Sequence, residues 1–326
     1  MTAVDPRAHV LLAHRWRAAE LSPWLIAIAA FFIFPDYLAL GTQVLITILF
    51  ALSLDLIVGY AGIITLGHAA YFGTGAYAVA MAYAHGGWAE PLSALALGAA
   101  CAGVLGLCAG LVLMRYHGLT LLMMTLAVGI LLREFANVNE DVTGGFDGVS
   151  IEPGLIFGYF DNDLFGYHYY WYCLIVLALA FVLARTIVHS PFGRSLVGIR
   201  ENARRMNAIG TPVHRRLVTV YTLSAAMAGL AGALFAQSNA YVMVDVLDFS
   251  RSGTILVVLV LGGLGRLYGA FVGGAVFIIL EDELSKLSPE FWEFGVGLVL
   301  VLVVMFARDG LLGLMIRAAR KLGWPA

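Results

Sequence analysis

The chain has 326 residues, of which 61% are hydrophobic and only 12% charged, and its mean hydropathy is +0.89. A soluble domain carries about a quarter charged residues, so this composition excludes a single water-surrounded core and makes the bilayer the solvent for most of the chain. The formal net charge of -2 decides nothing as a total, because in membrane proteins the placement of Lys and Arg carries the information.

Apolar runs of roughly 17–25 residues mark transmembrane helices. Ten are expected, at about 20–35, 38–59, 64–84, 92–114, 118–136, 168–188, 217–240, 252–264, 268–284 and 291–307. The first, Trp24 to Phe34 behind Arg15 and Arg17, has the outline of a secretory signal. Its removal would leave the other spans with the wrong count and orientation, so it is read as a retained span. The expected layout is an N-terminal segment 1–19, a transmembrane region 20–308 and a C-terminal tail 309–326.

Basic residues set the orientation. Arg7, Arg15 and Arg17, Arg115, six arginines between Ser190 and Arg216, Arg266, and Arg308, Arg317, Arg320 and Lys321 all fall on one side, the cytoplasm, if there are ten spans. The connection 137–167 carries Glu140, Asp141, Asp147, Glu152, Asp161 and Asp163 with no Lys or Arg, and belongs outside. So does the acidic turn Glu281 to Glu290, with Lys286 as a mild exception.

Ten spans with both ends inside divide into five plus five, and an odd-numbered repeat inserts upside down relative to its twin. The expected fold is therefore an all-α integral membrane protein of two inverted five-helix repeats with broken, glycine-rich helices. Gly59 to Tyr77 and Leu261 to Ala275 are the glycine-interrupted stretches, although glycines also serve close helix approach. Close approach is the better reading of 225–236, where Ala225, Gly229 and Ala233, and likewise Ala228, Gly232 and Ala236, form two adjoining small stripes. Cys101 and Cys108 share a helix face as small packing residues, and with Cys173 they match neither a metal spacing nor a disulfide framework.

Ionisable residues inside a membrane are costly and default to functional candidates. Asp55 and His68 are the two here. For Asp55 the alternative is a hydrogen bond to backbone inside the bundle; for His68 it is donation to backbone freed by the Gly62 to Gly67 break. In the external connection, Thr143, Gly144 and Gly145 let the backbone approach a substrate, a docking protein or nothing beyond its own loop. No GxxxxGK(S/T) loop, GxSxG elbow, HExxH or CxxC is present. Nucleic-acid binding is disfavoured, because the basic island is short and lies between spans.

That island, 190–216, sets Arg194, Arg200, Arg204, Arg205, Arg215 and Arg216 against Glu201. Pro191 and Gly193 end the preceding span, Ser195 to Ala208 is helical, and Gly210 and Pro212 stop it. Such a helix either anchors to anionic lipid, at about 1 kcal/mol per basic residue, or couples the bundle to a soluble motor.

With these residues in view, the chain resembles the permease subunits of branched-chain amino acid ABC importers, of the LivM type. Four blocks carry the resemblance: ALSLDLIVGYAGIITLGHAAYFGTGAY, TGGFDGV, SPFGRSLVGIREN with AIG and the small-residue helix LSAAMAGLAGALFA after it, and LVLGGLGRLYGAFVGGAV. They run from about Ala51 to Leu284. The resemblance implies a bacterial inner-membrane subunit that pairs with a second permease, two cytoplasmic ATPases and a periplasmic substrate-binding protein. It further implies that the chain binds no cofactor, ATP being used by the partner subunits. Gly193, Arg194, Arg200, Glu201, Asn202 and Gly210 would form the ATPase coupling element. Thr143, Gly144 and Gly145 would meet the binding protein, and Asp55, Gly62, Thr65, Gly67, His68 and Gly263 would line the substrate pathway. Where relatives follow REN with Glu and small residues, this chain has Ala203, Arg204 and Arg205, which implies a more acidic groove on the ATPase. Leucine, isoleucine and valine are the expected cargo, with urea or short amides as the alternative. An ion-driven carrier using Asp55 as its coupling carboxylate, and a passive channel, remain as rivals; a membrane enzyme lacks any convergent catalytic set.

Overall fold

The computed structural model describes residues 18–87, 90–151, 167–306 and 310–321. The expectations for Arg7, Arg15, Arg17, Glu152, Asp161, Asp163 and Arg308 lie outside these residues. The helices are α1 (Ser22–Ile33), α2 (Leu38–Asp55), α3 (Ala69–Gly86), α4 (Pro91–Leu113), α5 (Leu119–Val138) and α6 (Tyr167–His189). They continue with α7 (Pro191–Ala208), α8 (Val213–Asn239), α9 (Phe249–Gly262), α10 (Leu267–Leu287), α11 (Trp292–Phe306) and α12 (Gly310–Lys321). Two-residue strands β1 (Val149–Ser150) and β2 (Tyr241–Val242) pair antiparallel.

Five helical segments are long and apolar enough to cross a membrane: Pro35–Ala61, Pro91–Leu113, Leu119–Val138, Tyr167–His189 and Val213–Asn239. The pair α9 and α10 makes a sixth if its 113° bend is counted within one span. Helices α1 and α11 are shorter apolar helices of the same character. The acidic stretch expected as a turn from Glu281 is instead helical to Leu287, because Lys286 pairs with Asp282 four residues back and Glu283 three back.

Helix α2 is the centre of the bundle. It is apolar around its whole circumference, as a helix surrounded by others must be, and Leu49, Leu52 and Leu54 are fully enclosed. It packs against α6, α8, α9 and α10. Beyond Asp55 it continues as a wider π-turn, Leu56–Ala61, which ends at Gly62 in the left-handed conformation (φ 73°).

The small stripes of α8 behave as read from the sequence. Ala225 and Ala233 face Gly106 and Gly98 of α4, while Gly232 lies against the Phe72 carbonyl of α3. At the crossing of three helices, a Cβ on Gly75 would sit 2.5 Å from Gly229 Cα, and one on Gly229 would sit 2.7 Å from the Gly98 carbonyl oxygen. Gly229→Val must push backbones apart, so it is expected to destabilise by at least the 1–3 kcal/mol typical of overpacking. A thermal unfolding scan in detergent checks this, with Gly253→Ala, whose Cβ meets open space, as the control that leaves the midpoint unchanged. Cys101 and Cys108 do not pack as expected: Cys101 is half-buried and Cys108 exposed, because α4 turns its glycines, not its cysteines, toward α8.

Candidate functional site

The expected third span does not begin as a helix. Residues 62–67 run without regular structure and α3 starts only at Ala69. Unwound backbone inside a bundle needs internal hydrogen-bond partners, and several elements supply them. Leu66 N donates to Thr125 Oγ1 of α5 (3.3 Å), Gly67 N to Thr65 Oγ1 (3.3 Å), and Ala69 N to Ser252 Oγ of α9 (2.8 Å). Gly67 is required here because a Cβ would strike the Thr125 carbonyl group.

His68 is fully buried at the start of α3 and stacks on Phe50 with ring planes 8° apart. Its Nε2 hydrogen-bonds Ser53 Oγ at 2.9 Å, so it meets a side chain of α2 and not the freed backbone expected from sequence. Ser224 of α8 donates to the Ser53 carbonyl, tying α2, α3 and α8 together.

The second break lies at 263–266, where Gly263 (φ 114°) and Gly265 (φ 70°) adopt conformations that favour glycine. The two breaks meet. Asp55 Oδ1, fully buried at the end of α2, accepts a hydrogen bond from Gly265 N at 2.8 Å. A Cβ on Gly59 would lie 2.6 Å from that same nitrogen. Asp55 therefore does what its backbone-bonding reading required, with a partner 210 residues away.

Helix α7 closes the junction from outside. Ser190 caps it, its Oγ accepting from Gly193 N at 3.3 Å, and Pro191 occupies the first turn, where a missing N–H costs nothing. The sequence expectation that Pro191 and Gly193 terminate the preceding span is thus corrected: α6 ends at His189, and both residues begin α7. Gly193 is buried against the Ile187 and Val188 carbonyls. Inside α7, Asn202 leaves helical geometry (φ −159°, ψ 95°) and its Oδ1 caps the Arg205 N–H at 2.9 Å, dividing the element in two. Leu196 and Ile199 anchor the first half.

From this anchored half, Arg200 reaches inward and its Nη1 donates to the Gly59 carbonyl. Its stem covers Gly62, and Nη1 approaches Gly265. One side chain of α7 therefore touches both breaks with its guanidinium, although Arg200 as a whole is exposed, as are Arg194, Glu201, Asn202, Arg204 and Arg205. Gly210 (φ 86°) ends the polar element as expected.

The Thr143–Gly145 turn is internally satisfied. Thr143 is buried, and its hydroxyl donates toward the Ala136 and Asn139 carbonyls while accepting from Gly145 N. Gly144 (φ 69°) closes on the Gly148 carbonyl group, so the close approach read from the glycines is to the loop's own backbone. The Tyr241 hydroxyl donates to the Asp147 carbonyl beside the β1–β2 pair. What this turn displays outward is Phe146, 64% exposed. Thr143→Val keeps the side-chain shape and strips the hydroxyl, so it is expected to cost about 1–3 kcal/mol for the groups left unpaired. Faster hydrogen exchange over residues 140–150, with the rest of the bundle unchanged, checks it.

None of Asp55, Gly62, Thr65, Gly67, His68 and Gly263 lines either of the two large cavities, of about 960 and 740 Å3; Gly67 borders a small one of about 70 Å3. Sequence reasoning missed Arg251, Asp248 and Arg133, which cluster where α9 begins: Arg133 of α5 pairs with Asp248, and Arg251 lies 3.8 Å from Asp245. The signal was present in DVLDFSRSG, but drawing the span from residue 252 left it outside.

A family model described as branched-chain amino acid transport system / permease component matches residues 37–304. The high-affinity branched-chain amino acid transport system permease protein LivM of Salmonella typhimurium is 30% identical over 299 residues, covering 84% of this chain and 69% of that protein. The LivM protein of Escherichia coli is 28% identical over 298 residues with the same shares. The LivH permease protein of the same Escherichia coli system is 32% identical over 142 residues, 43% of this chain and 46% of LivH. No solved structure matches.

Proposed function

The chain belongs to the branched-chain amino acid transport system permease component family, and from that premise we propose that it is a translocation subunit of an ATP-driven importer for leucine, isoleucine and valine. It is a multi-pass membrane protein. In the proposed arrangement ten membrane segments form two inverted halves of five in a bacterial inner membrane, with residues 20–308 as the membrane region and segments 1–19 and 309–326 in the cytoplasm. The inverted halves are supported by the two glycine-marked breaks, 62–67 before α3 and 263–266 after α9, which meet through the Asp55 to Gly265 bond, and by the contact of α3 with α9 through the Ala69 to Ser252 bond. The partners are a second, related permease, two cytoplasmic ATPases that use the ATP, and a periplasmic binding protein that meets the external turn at Thr143–Gly145 through Phe146.

The observation that carries the reading is the Arg200 bridge. A capped, anchored polar helix offers Arg194, Glu201 and Asn202 outward and, through its neighbouring residue, grips the Gly59 carbonyl where both broken helices meet. Movement of an ATPase groove holding α7 would be delivered directly to the two breaks. In this account Asp55, Gly62 and Gly263 serve the moving junction that gates the pathway, and Thr65, Gly67 and His68 fix the start of α3.

Mild solubilisation from the native membrane, affinity capture of this chain and mass spectrometry of its companions test the reading. An ATPase and a second permease are expected in the complex. A lone chain or homodimer without an ATPase, reproduced across detergents, would contradict it.

A further inference from the structure

The half-open cavity of about 740 Å3 is lined by α2, α3, α8, α9, α10 and α11, and its size falls within the ~300–1,000 Å3 of small-molecule sites. It is separate from the coupling junction. At 1.5 Å per residue, Arg251 lies about 18 Å along α9 and Glu281 about 21 Å along α10 from the 263–266 break. Its lining combines three chemistries. Arg251 lines it and lies over the adjoining Phe72 and Phe235 rings, at 5.2 and 4.6 Å from their centres. Glu281 of α10 and Glu293 of α11 face the same space, as does Asp245. Phe277 and the two flanking rings give an apolar wall.

Among the described residues, the Arg251 guanidinium donates no hydrogen bond, since 3.8 Å to Asp245 is too long for one. A guanidinium held over a pair of adjoining rings, its fork making no hydrogen bond, is suited to a carboxylate, which it can grip with two parallel bonds. Phe72 and Phe235 fix its orientation by cation–π contact. The excess of carboxylates around it suits a ligand that also carries an ammonium group. Both ends of a zwitterion are thus provided for, with aromatic surface between them.

We propose that this cavity is the transport site within the permease for an α-amino acid with an apolar side chain, its carboxylate taken by Arg251, its ammonium by Glu281 and its side chain by the Phe72, Phe235 and Phe277 wall. The assignment rests on the proposed importer function and goes further, because it places a substrate site on this chain's own side of the pathway and away from the Asp55 to His68 segment. Urea and neutral amides, which carry neither a carboxylate for the Arg251 fork nor an ammonium for Glu281, fit this lining less well.

The test uses the full importer complex in proteoliposomes with its binding protein, measuring leucine uptake and ATP hydrolysis stimulated by the loaded binding protein in the same preparation. Arg251→Gln is expected to lower uptake at least tenfold while stimulated hydrolysis stays within twofold of wild type. Thr254→Trp, which fills the cavity from an exposed lining position and leaves Arg251 and Glu281 in the sequence, is expected to give the same split. Uptake within twofold of wild type in either variant overturns the assignment. Loss of uptake and stimulated hydrolysis together in Arg251→Gln also overturns it, since that is the signature of a structural ion-pair role. A wild-type complex that hydrolyses ATP yet imports no leucine contradicts the importer reading itself, so the two failures are distinguishable.

Discussion

Asp55→Ala is expected to abolish uptake, and Asp55→Asn to retain at least half of it. The reason is that Asp55 acts as a hydrogen-bond acceptor for the Gly265 N–H at 2.8 Å, where two interrupted helices meet inside the bundle. Alanine leaves that N–H buried and unpaired, a cost of about 1–3 kcal/mol, at a junction whose backbone has no regular structure to fall back on. Asparagine keeps the Oδ1 acceptor in place. The contrast separates this account from an ion-driven carrier, which needs a titrating carboxylate at this position and would lose transport with either replacement. Initial uptake rates for the two variants at matched expression decide the matter.

Arg200→Ala is expected to reduce uptake at least tenfold while the permease still co-purifies with its ATPase. The outward side chains of α7, Arg194, Glu201, Arg204 and Arg205, are untouched by this change, so the docking surface persists. What is lost is the bond from α7 to the Gly59 carbonyl and the cover over Gly62. ATP hydrolysis should continue without driving transport. Arg200→Lys should recover part of the uptake, because an ammonium can reach one carbonyl but cannot also lie along the Gly265 backbone as a planar guanidinium does. Removing Glu201 as well, in the Arg200→Ala, Glu201→Ala double variant, should abolish transport while leaving the membrane pair assembled. Full uptake by the double variant would sink the coupling role of α7.

Much of the architecture is legible in the sequence because it follows from length and periodicity. The apolar runs, the small stripes of α8 and the glycine-marked breaks near Gly62 and Gly263 all stand where local composition puts them. Charge asymmetry and the capping residues of SPFGRSLVGIREN mark α7, although its start is misread when Pro191 is taken as a terminator and not as a first-turn residue. What the sequence does not disclose are partnerships across long separations. Asp55 finds Gly265, Arg200 finds Gly59, and Ala69 finds Ser252 over 183 residues. A residue list can nominate each member, but only the fold brings the pairs together. Arg251 was hidden for a different reason: it lies at the first turn of a helix whose apolar run begins one residue later, so a hydropathy boundary cut it away from the cavity it lines.

The Thr143–Gly145 turn gives a related lesson. Consecutive glycines signal that backbone comes close to something, and here that something is Gly148, four residues on. The exposed Phe146 beside them is a better docking candidate than the glycines that position it.

ATP, and not an ion gradient, is expected to drive substrate through this chain by way of α7. The most direct measurement is leucine uptake into proteoliposomes holding this chain, its partner permease and the ATPases, supplied with loaded binding protein, with ATP present or absent and ion gradients collapsed by ionophores. The account predicts uptake that requires ATP and is indifferent to the ionophores. Uptake that proceeds without ATP and disappears when the gradients are collapsed would contradict it.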